Sequence, residues 1–194
     1  MNIIKRSNAG YQCLPLEAAL LSRRIVFLEG PITSESVSLV IKQLLYLESE
    51  DEHSRIKFVI NSEGGSVSAG LVLYHQLRAM EVPIDIIGEE RCMSMAAILL
   101  AGGKPGHRFL LKGCECMIHE PRVLTETSGI SGSVTSIQQA AESILNKKEM
   151  LDELLATDTG HTIEEIKKYT AHDHFMSDIE ALAFNMADAI VDRI

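Results

Sequence analysis

Two hydrophobic periods alternate along the chain. Short β-rich runs stand at Arg24-Ile25-Val26-Phe27-Leu28-Glu29-Gly30, at Ile56-Lys57-Phe58-Val59-Ile60 and at Pro83-Ile84-Asp85-Ile86-Ile87-Gly88. Glycine or turn residues close each of them, as expected of strands. Between them the spacing lengthens. Val37, Val40, Leu44 and Leu47 follow the helix start Thr33-Ser34-Glu35-Ser36, and Leu71, Tyr74, Leu77 and Met80 share one helical face. Strand, helix, strand, helix, strand implies right-handed parallel crossovers and an α/β core. A helix from about Ser94 to Ala101 comes next, then β-rich runs at Arg108 to Leu111 and Cys114 to His119. The Gly/Ser/Thr-rich stretch Thr125 to Ser136 reads as mobile. A long amphipathic helix then spans about Val134 to Thr157, with Ile137, Ala141, Ile144 and Leu151 as its apolar stripe. So long a helix on so small a domain protrudes and implies an oligomer. The first 15 residues are polar and mixed and read as an arm, leaving 16–194 as a single domain.

Composition narrows the class. A chain of 194 residues with 46% hydrophobic and 23% charged residues buries one sizeable core and is not disordered. The net charge of −9 disfavours nucleic acid and anionic lipid as partners, and the absence of tryptophan disfavours base stacking. Met1 to Asn8 lacks the apolar run of a signal peptide, and Met95 to Ala101 is too short to span a bilayer, so no membrane association and a cytoplasmic setting are expected. Cys13, Cys92, Cys114 and Cys116 show no C-x-x-C spacing, which fits a reduced protein with disulfides unforced. Cys114 and Cys116 share a face of one strand, but no second ligand pair stands near, and no metal is expected.

Chemistry in an open α/β sheet sits beyond the carboxyl ends of its strands. Two stretches fall there. Asn61-Ser62-Glu63-Gly64-Gly65-Ser66 can turn backbone N–H groups toward an oxyanion, although a tight strand-to-helix turn would also use its glycines. It fits neither the P-loop nor the dinucleotide pattern. Cys92-Met93-Ser94-Met95-Ala96-Ala97 puts a serine at the start of an almost wholly apolar helix, where it is either a nucleophile or a simple N-cap. A serine nucleophile needs a base and a group that orients it. His119 ends a strand and is the candidate base. His53 and His75 read as solvated. Asp173, in His172-Asp173-His174-Phe175-Met176-Ser177, is the candidate orienter or a solvated turn residue.

Together these stretches resemble the proteolytic subunits of the caseinolytic (Clp) proteases, serine peptidases of the crotonase-like fold. The resemblance runs from about Arg23 through Arg24 to Ile32, Asn61 to Val67, Ser94 to Gly103, Met117-Ile118-His119-Glu120-Pro121 and Asp173 to Ser177. It implies an α/β, crotonase-like single domain with a protruding oligomerisation helix. Ser94 would be the nucleophile, His119 the general base and Asp173 the orienter. The backbone N–H groups of Gly65 and Met95 would form the oxyanion hole. It further implies a homo-oligomer of stacked heptameric rings, a tetradecamer, in which about 120–157 forms the handle for ring–ring contact. Substrates would be peptides or unfolded proteins fed by an AAA+ unfoldase, with no cofactor or metal.

The chain also departs from the family pattern. Ser-Met-Ala replaces Ser-Met-Gly at Ser94, so the Ala96 methyl is expected to narrow the site. Ala171-His172 stands where the family has Asp-Arg. Lys57, Val59 and Ala79 replace residues of the pocket that receives the unfoldase, which makes standard docking atypical. Three other readings stay open: a catalytically weak or regulatory subunit of a mixed ring, an acyl-CoA enzyme of the same fold, and a serine–lysine peptidase using Lys104 or Lys112.

Overall fold

The computed structural model describes residues 1–7, 10–122 and 133–194. The chain opens with an antiparallel hairpin, β1 (Asn2–Ser7) and β2 (Gly10–Pro15), and a short helix α1 (Leu16–Leu21). The supposed polar arm is therefore paired strand, because main-chain pairing needs no apolar side chains. Next come β3 (Ile25–Glu29), α2 (Ser34–Glu50), β4 (Ile56–Ser62), α3 (Val67–Ala79) and β5 (Ile84–Met93). They are followed by α4 (Met95–Ala101), β6 (Arg108–Leu111), β7 (Glu115–Ile118), α5 (Val134–Thr159) and α6 (Ile163–Thr170). Strand β8 (His174–Met176), α7 (Asp178–Ala183) and β9 (Ala189–Val191) complete the fold.

The strands β3-β4-β5-β6-β9 lie side by side, all parallel, and β7 pairs with β5 while β8 runs antiparallel to β7. Strand β5 is the pivot. Its first half bonds β6 through Ile86, Ile87 and Gly88, and its end bonds β7 through Arg91, Cys92 and Met93. The apolar run stops at Gly88, but the strand continues to Met93. Glu89, Glu90 and Arg91 can stay in it because that end projects past the core toward solvent.

Helix starts follow their caps. The Thr33 hydroxyl accepts the Ser36 N–H (3.2 Å) while the Ser36 hydroxyl accepts the Thr33 N–H (2.9 Å), a reciprocal box that fixes the start of α2. Val37, Val40, Leu44 and Leu47 of α2 pack with Val26, Leu28, Phe58, Ile60 and Ile86 of the sheet and with Leu73 and Leu77 of α3. All seven residues of α4 are buried, which is why its sequence is apolar all round. Among the described residues no helix is long and apolar enough to cross a membrane.

Helix α5 is divided along its length. Leu151, Asp152, Leu155, Ala156 and Thr159 are buried, whereas Val134, Ile137, Leu145 and Met150 are exposed. Of the expected stripe, only Leu151 is buried, because among the described residues nothing covers the first half of the helix. The part of the expected mobile stretch and handle region at 123–132 lies outside the described residues. Of the residues expected to bear on docking, Lys57 is half-buried and Ala79 exposed, while Val59 is completely buried.

One buried cation ties the end of the fold to its middle. Arg108, 3% exposed, donates to Asp188 Oδ1 (2.7 Å) and to the carbonyls of Ala101 (3.2 Å), Asp158 (3.0 Å) and Asn185 (3.0 Å). Burial pushes the Asp188 carboxyl up, but hydrogen bonds from Arg108 and from the Gly106 N–H outweigh it and hold the carboxyl below its ordinary value. Removing the cation takes a donor from three carbonyls and leaves the Asp188 carboxylate without its counter-charge, held only by the Gly106 and Arg108 N–H groups. Arg108→Met is expected to cost about 3 kcal/mol or more in urea unfolding; a loss within the range of a surface substitution would contradict this account.

Candidate active site

The site is built where β5 ends. Ser94 lies between β5 and α4 with φ 54° and ψ −123°, a region that side-chain-bearing residues rarely adopt. Its hydroxyl makes no capping bond to the helix it starts, so the N-cap alternative fails here. Its own N–H donates to the Met117 carbonyl (2.7 Å), which ties the turn to β7. Two residues on, His119 brings its Nε2 to 2.9 Å from Ser94 Oγ.

The glycine pair lies on the other side of the serine. A Cβ at Gly64 would stand 2.7 Å from Ser94 Cβ and 2.8 Å from the Met93 carbonyl oxygen, so no side chain fits between the loop and Ser94. A Cβ at Gly65 would meet the Ile32 carbonyl oxygen at 2.4 Å. The Ile32 N–H donates to Gly64 O and the Ser66 N–H to Ile32 O (both 2.8 Å), which fastens this loop to the segment after β3. The N–H groups of Gly65 and Met95 donate to no acceptor among the described residues. The Met95 side chain is buried against Gly70, where a Cβ would meet its Cγ at 2.2 Å.

Ser94 and His119 open into a cleft of about 590 Å³, bordered also by Gly30, Glu63, Arg91 and Arg122. Arg91 is held at its rim by Glu63 (2.5 Å) and Glu90 (3.2 Å). Ala96 does not line the cleft. It is fully buried inside α4, so its methyl does not narrow the site as expected. Neither Lys104 nor Lys112 borders the cleft, and the Lys104 ammonium donates instead to the Met80 carbonyl (3.0 Å). His53 and His75 are exposed, as their positions implied. Among the described residues no cluster of His, Cys, Asp or Glu is arranged to hold a metal ion.

The third expected member stands apart. Asp173 forms an ion pair and hydrogen bond with Arg122, and His119 Nδ1 is buried with no hydrogen-bond partner among the described residues. The structure brings Ser94 and His119 together and leaves Asp173 acting on the imidazole only through its charge. This has a consequence for the tautomer. A proton on Nδ1 has nothing to bond there, at a cost of about 1–3 kcal/mol, so the proton prefers Nε2 and points at Ser94. That tautomer cannot take the serine proton. Burial lowers the His119 pKa, and the nearby Arg122 guanidinium lowers it further, against a smaller opposing effect of Asp173. Arg122 has no legible signal in the sequence, because its partner lies 51 positions away.

A family model for Clp protease matches residues 8–194. The chain belongs to the Clp protease family. The match spans both flanks of the cleft, so a Clp-type peptidase fold and the Ser94–His119 contact coincide in one domain. The single domain is α/β with a mostly parallel sheet, as that family requires.

Two outcomes follow from this geometry. Gly64→Ala should leave a cooperatively folded protein by circular dichroism but abolish labelling of Ser94 by a fluorophosphonate, because its methyl displaces the turn; labelling at the parental rate would refute the packing account. Because His119 is held below its ordinary value of 6.5, it stays neutral into mildly acid solution. The labelling rate should therefore fall only below that value when followed from about pH 8 to 4.5, and an acid midpoint at or above it would contradict the burial argument.

Proposed function

We propose that this Clp protease family member is a self-compartmentalising serine endopeptidase that hydrolyses peptides and unfolded proteins. The observation that carries this reading is the 2.9 Å contact between Ser94 Oγ and His119 Nε2 at a strained turn beside two unpaired backbone donors. Ser94 Oγ attacks the scissile carbonyl and His119 takes its proton. The tetrahedral oxyanion is received by the N–H groups of Gly65 and Met95, each such donor being worth about 10²–10³ in rate. His119 then protonates the leaving amine, and water, activated by the same imidazole, releases the acyl group. Asp173 is the positioning residue for His119 and reaches Nδ1 once Arg122 lets it go.

The exposed apolar residues on the first half of α5 support a ring–ring handle, and with it the stacked heptameric rings of a homo-tetradecamer on a crotonase-like fold. A peptide-bond hydrolysis run this way needs no metal or cofactor. The AAA+ unfoldase partner would have to accept Lys57 and Ala79 at its docking site, with Val59 buried beneath. A second reading, a catalytically weak or regulatory subunit of a mixed ring, is favoured by one observation: the unpartnered Nδ1 of His119.

Intact mass after fluorophosphonate treatment separates the two. One adduct on the wild type and none on Ser94→Ala supports the peptidase; no adduct on either supports the regulatory subunit. Arg122→Gln is expected to raise the labelling rate about tenfold or more, the value of one hydrogen bond to a charged group. It should also move the acid midpoint upward, since a lowering charge is removed and a carboxylate is gained. Adding Asp173→Asn should cancel the gain in rate and leave only the part of the upward shift that comes from losing the Arg122 charge. An Arg122→Gln protein no faster than wild type would remove Arg122 from the account.

A further inference from the structure

Behind the nucleophile lies a cluster of thiols that the peptidase chemistry does not use. Cys92 and Cys116 face each other as register partners on β5 and β7, and Cys114 immediately precedes β7. All three are free and buried. The sulfurs of Cys92 and Cys114 converge on one point: a Cβ at Gly88 would lie 2.8 Å from the first and 3.1 Å from the second. Gly88 thus provides the room in which a thiol of β5 meets the one just before β7. Cys92 is the last residue but one before Ser94, so whatever alters its thiol sits beside the turn that aims the nucleophile.

The three thiols are not equivalent. Cys114, itself only 1% exposed, borders a surface groove of about 370 Å³ shared with Phe175, Met176, Asp178 and Glu180. Cys92 and Cys116 have no such opening. The Cys92 thiol donates to the Ile60 carbonyl (3.8 Å) and the Cys114 thiol to that of Glu115 (3.9 Å). The neighbouring Cys116 and Cys92 thiols hold Cys114 below the usual thiol range, against burial and the Asp178 carboxylate. The thiol of Cys92 is pushed up, by the neighbouring Cys114 and by burial. The thiol at the groove is the one a small oxidant meets first, and Cys92 lies buried behind it. This is the arrangement of an attacking and a resolving cysteine.

We propose that Cys114 and Cys92 form a peroxide-responsive dithiol site, in which Cys114 reacts first and Cys92 resolves it to a disulfide. The Cys114 thiolate attacks one oxygen of a hydroperoxide and the O–O bond breaks, giving a sulfenic acid and a hydroxide or alkoxide that is then protonated. The Cys92 sulfur attacks the sulfenic sulfur, the S–O bond breaks and water leaves with the thiol proton. Two thiols lose two electrons and two protons, and one peroxide is reduced. Hydrogen peroxide, little larger than water, is the oxidant suited to a groove that leaves Cys114 so little exposed.

The test uses the full chain carrying Cys13→Ser, which removes the exposed thiol and with it cross-linking between molecules. After hydrogen peroxide treatment the intact mass should fall by about 2 Da, the two lost hydrogens, and dithiothreitol should restore it. Peptide mapping should find Cys92 joined to Cys114. With Cys92→Ser the disulfide should disappear and a dimedone adduct should be trapped on Cys114, an outcome that a merely packed thiol would not give. Cys116→Ser should still form the disulfide. A bond from Cys114 to Cys116, or oxidation of Cys114 no faster than that of Cys13 in the unmodified chain, would overturn the assignment. None of these readouts depends on peptidase activity, so the site stands or falls separately from the proposed function.

Discussion

The cleft depends on one strained residue. Ser94 holds a positive φ that its side chain disfavours, at a cost of order 1–3 kcal/mol that the surroundings must offset. Three restraints do so. The fully buried α4 anchors the turn from one side, the end of β5 from the other, and the Ser94 N–H bond to Met117 fixes it to β7. The same bond sets the spacing to His119, so the restraint that stores the strain also places its imidazole beside Ser94. Gly64 completes the arrangement by leaving no atom where a side chain would push the serine away.

Strain fixes where the serine points, but not whether it can react. That is decided by the far ring nitrogen of His119. A buried imidazole whose Nδ1 lacks an acceptor keeps its mobile proton on the wrong side, and a wrong tautomer in such a constellation costs about 10⁴ in rate. Arg122 controls this at a distance. It pairs with Asp173, and by its own charge it disfavours a protonated His119. Both members of the pair are substantially exposed, so the ion pair itself is weak and readily exchanged.

The pivot strand β5 links this chemistry to the rest of the domain. Its first half belongs to the main sheet and its last residues to the smaller pairing with β7 and β8. Ser94, His119 and the β8 edge beside Asp173 all hang from that second pairing. The thiols of Cys92, Cys114 and Cys116 fill the seam where the strand changes partners. A single residue, Met93, separates Cys92 from Ser94.

Much of this was legible in the chain itself. The strand and helix periods from Arg24 to Ala101 gave the parallel α/β core, because burial on one face imposes a spacing of about two or 3.6 on whatever residues supply it. The sequence likewise singled out Ser94, His119 and the Gly64-Gly65 pair, because positions after parallel strands are where a sheet can present a site. Other features carried no local signal. The hairpin β1–β2 and the short β8 and β9 are set by main-chain pairing, to which a polar sequence is indifferent. The exposed half of α5 has an apolar pattern that says nothing about what covers it. The pairing of Arg122 with Asp173 joins residues far apart in sequence, and only the fold brings them together. The sequence determined which groups are available; the tertiary structure decided which of them meet, because a hydrogen bond or ion pair depends on distances that no local period encodes.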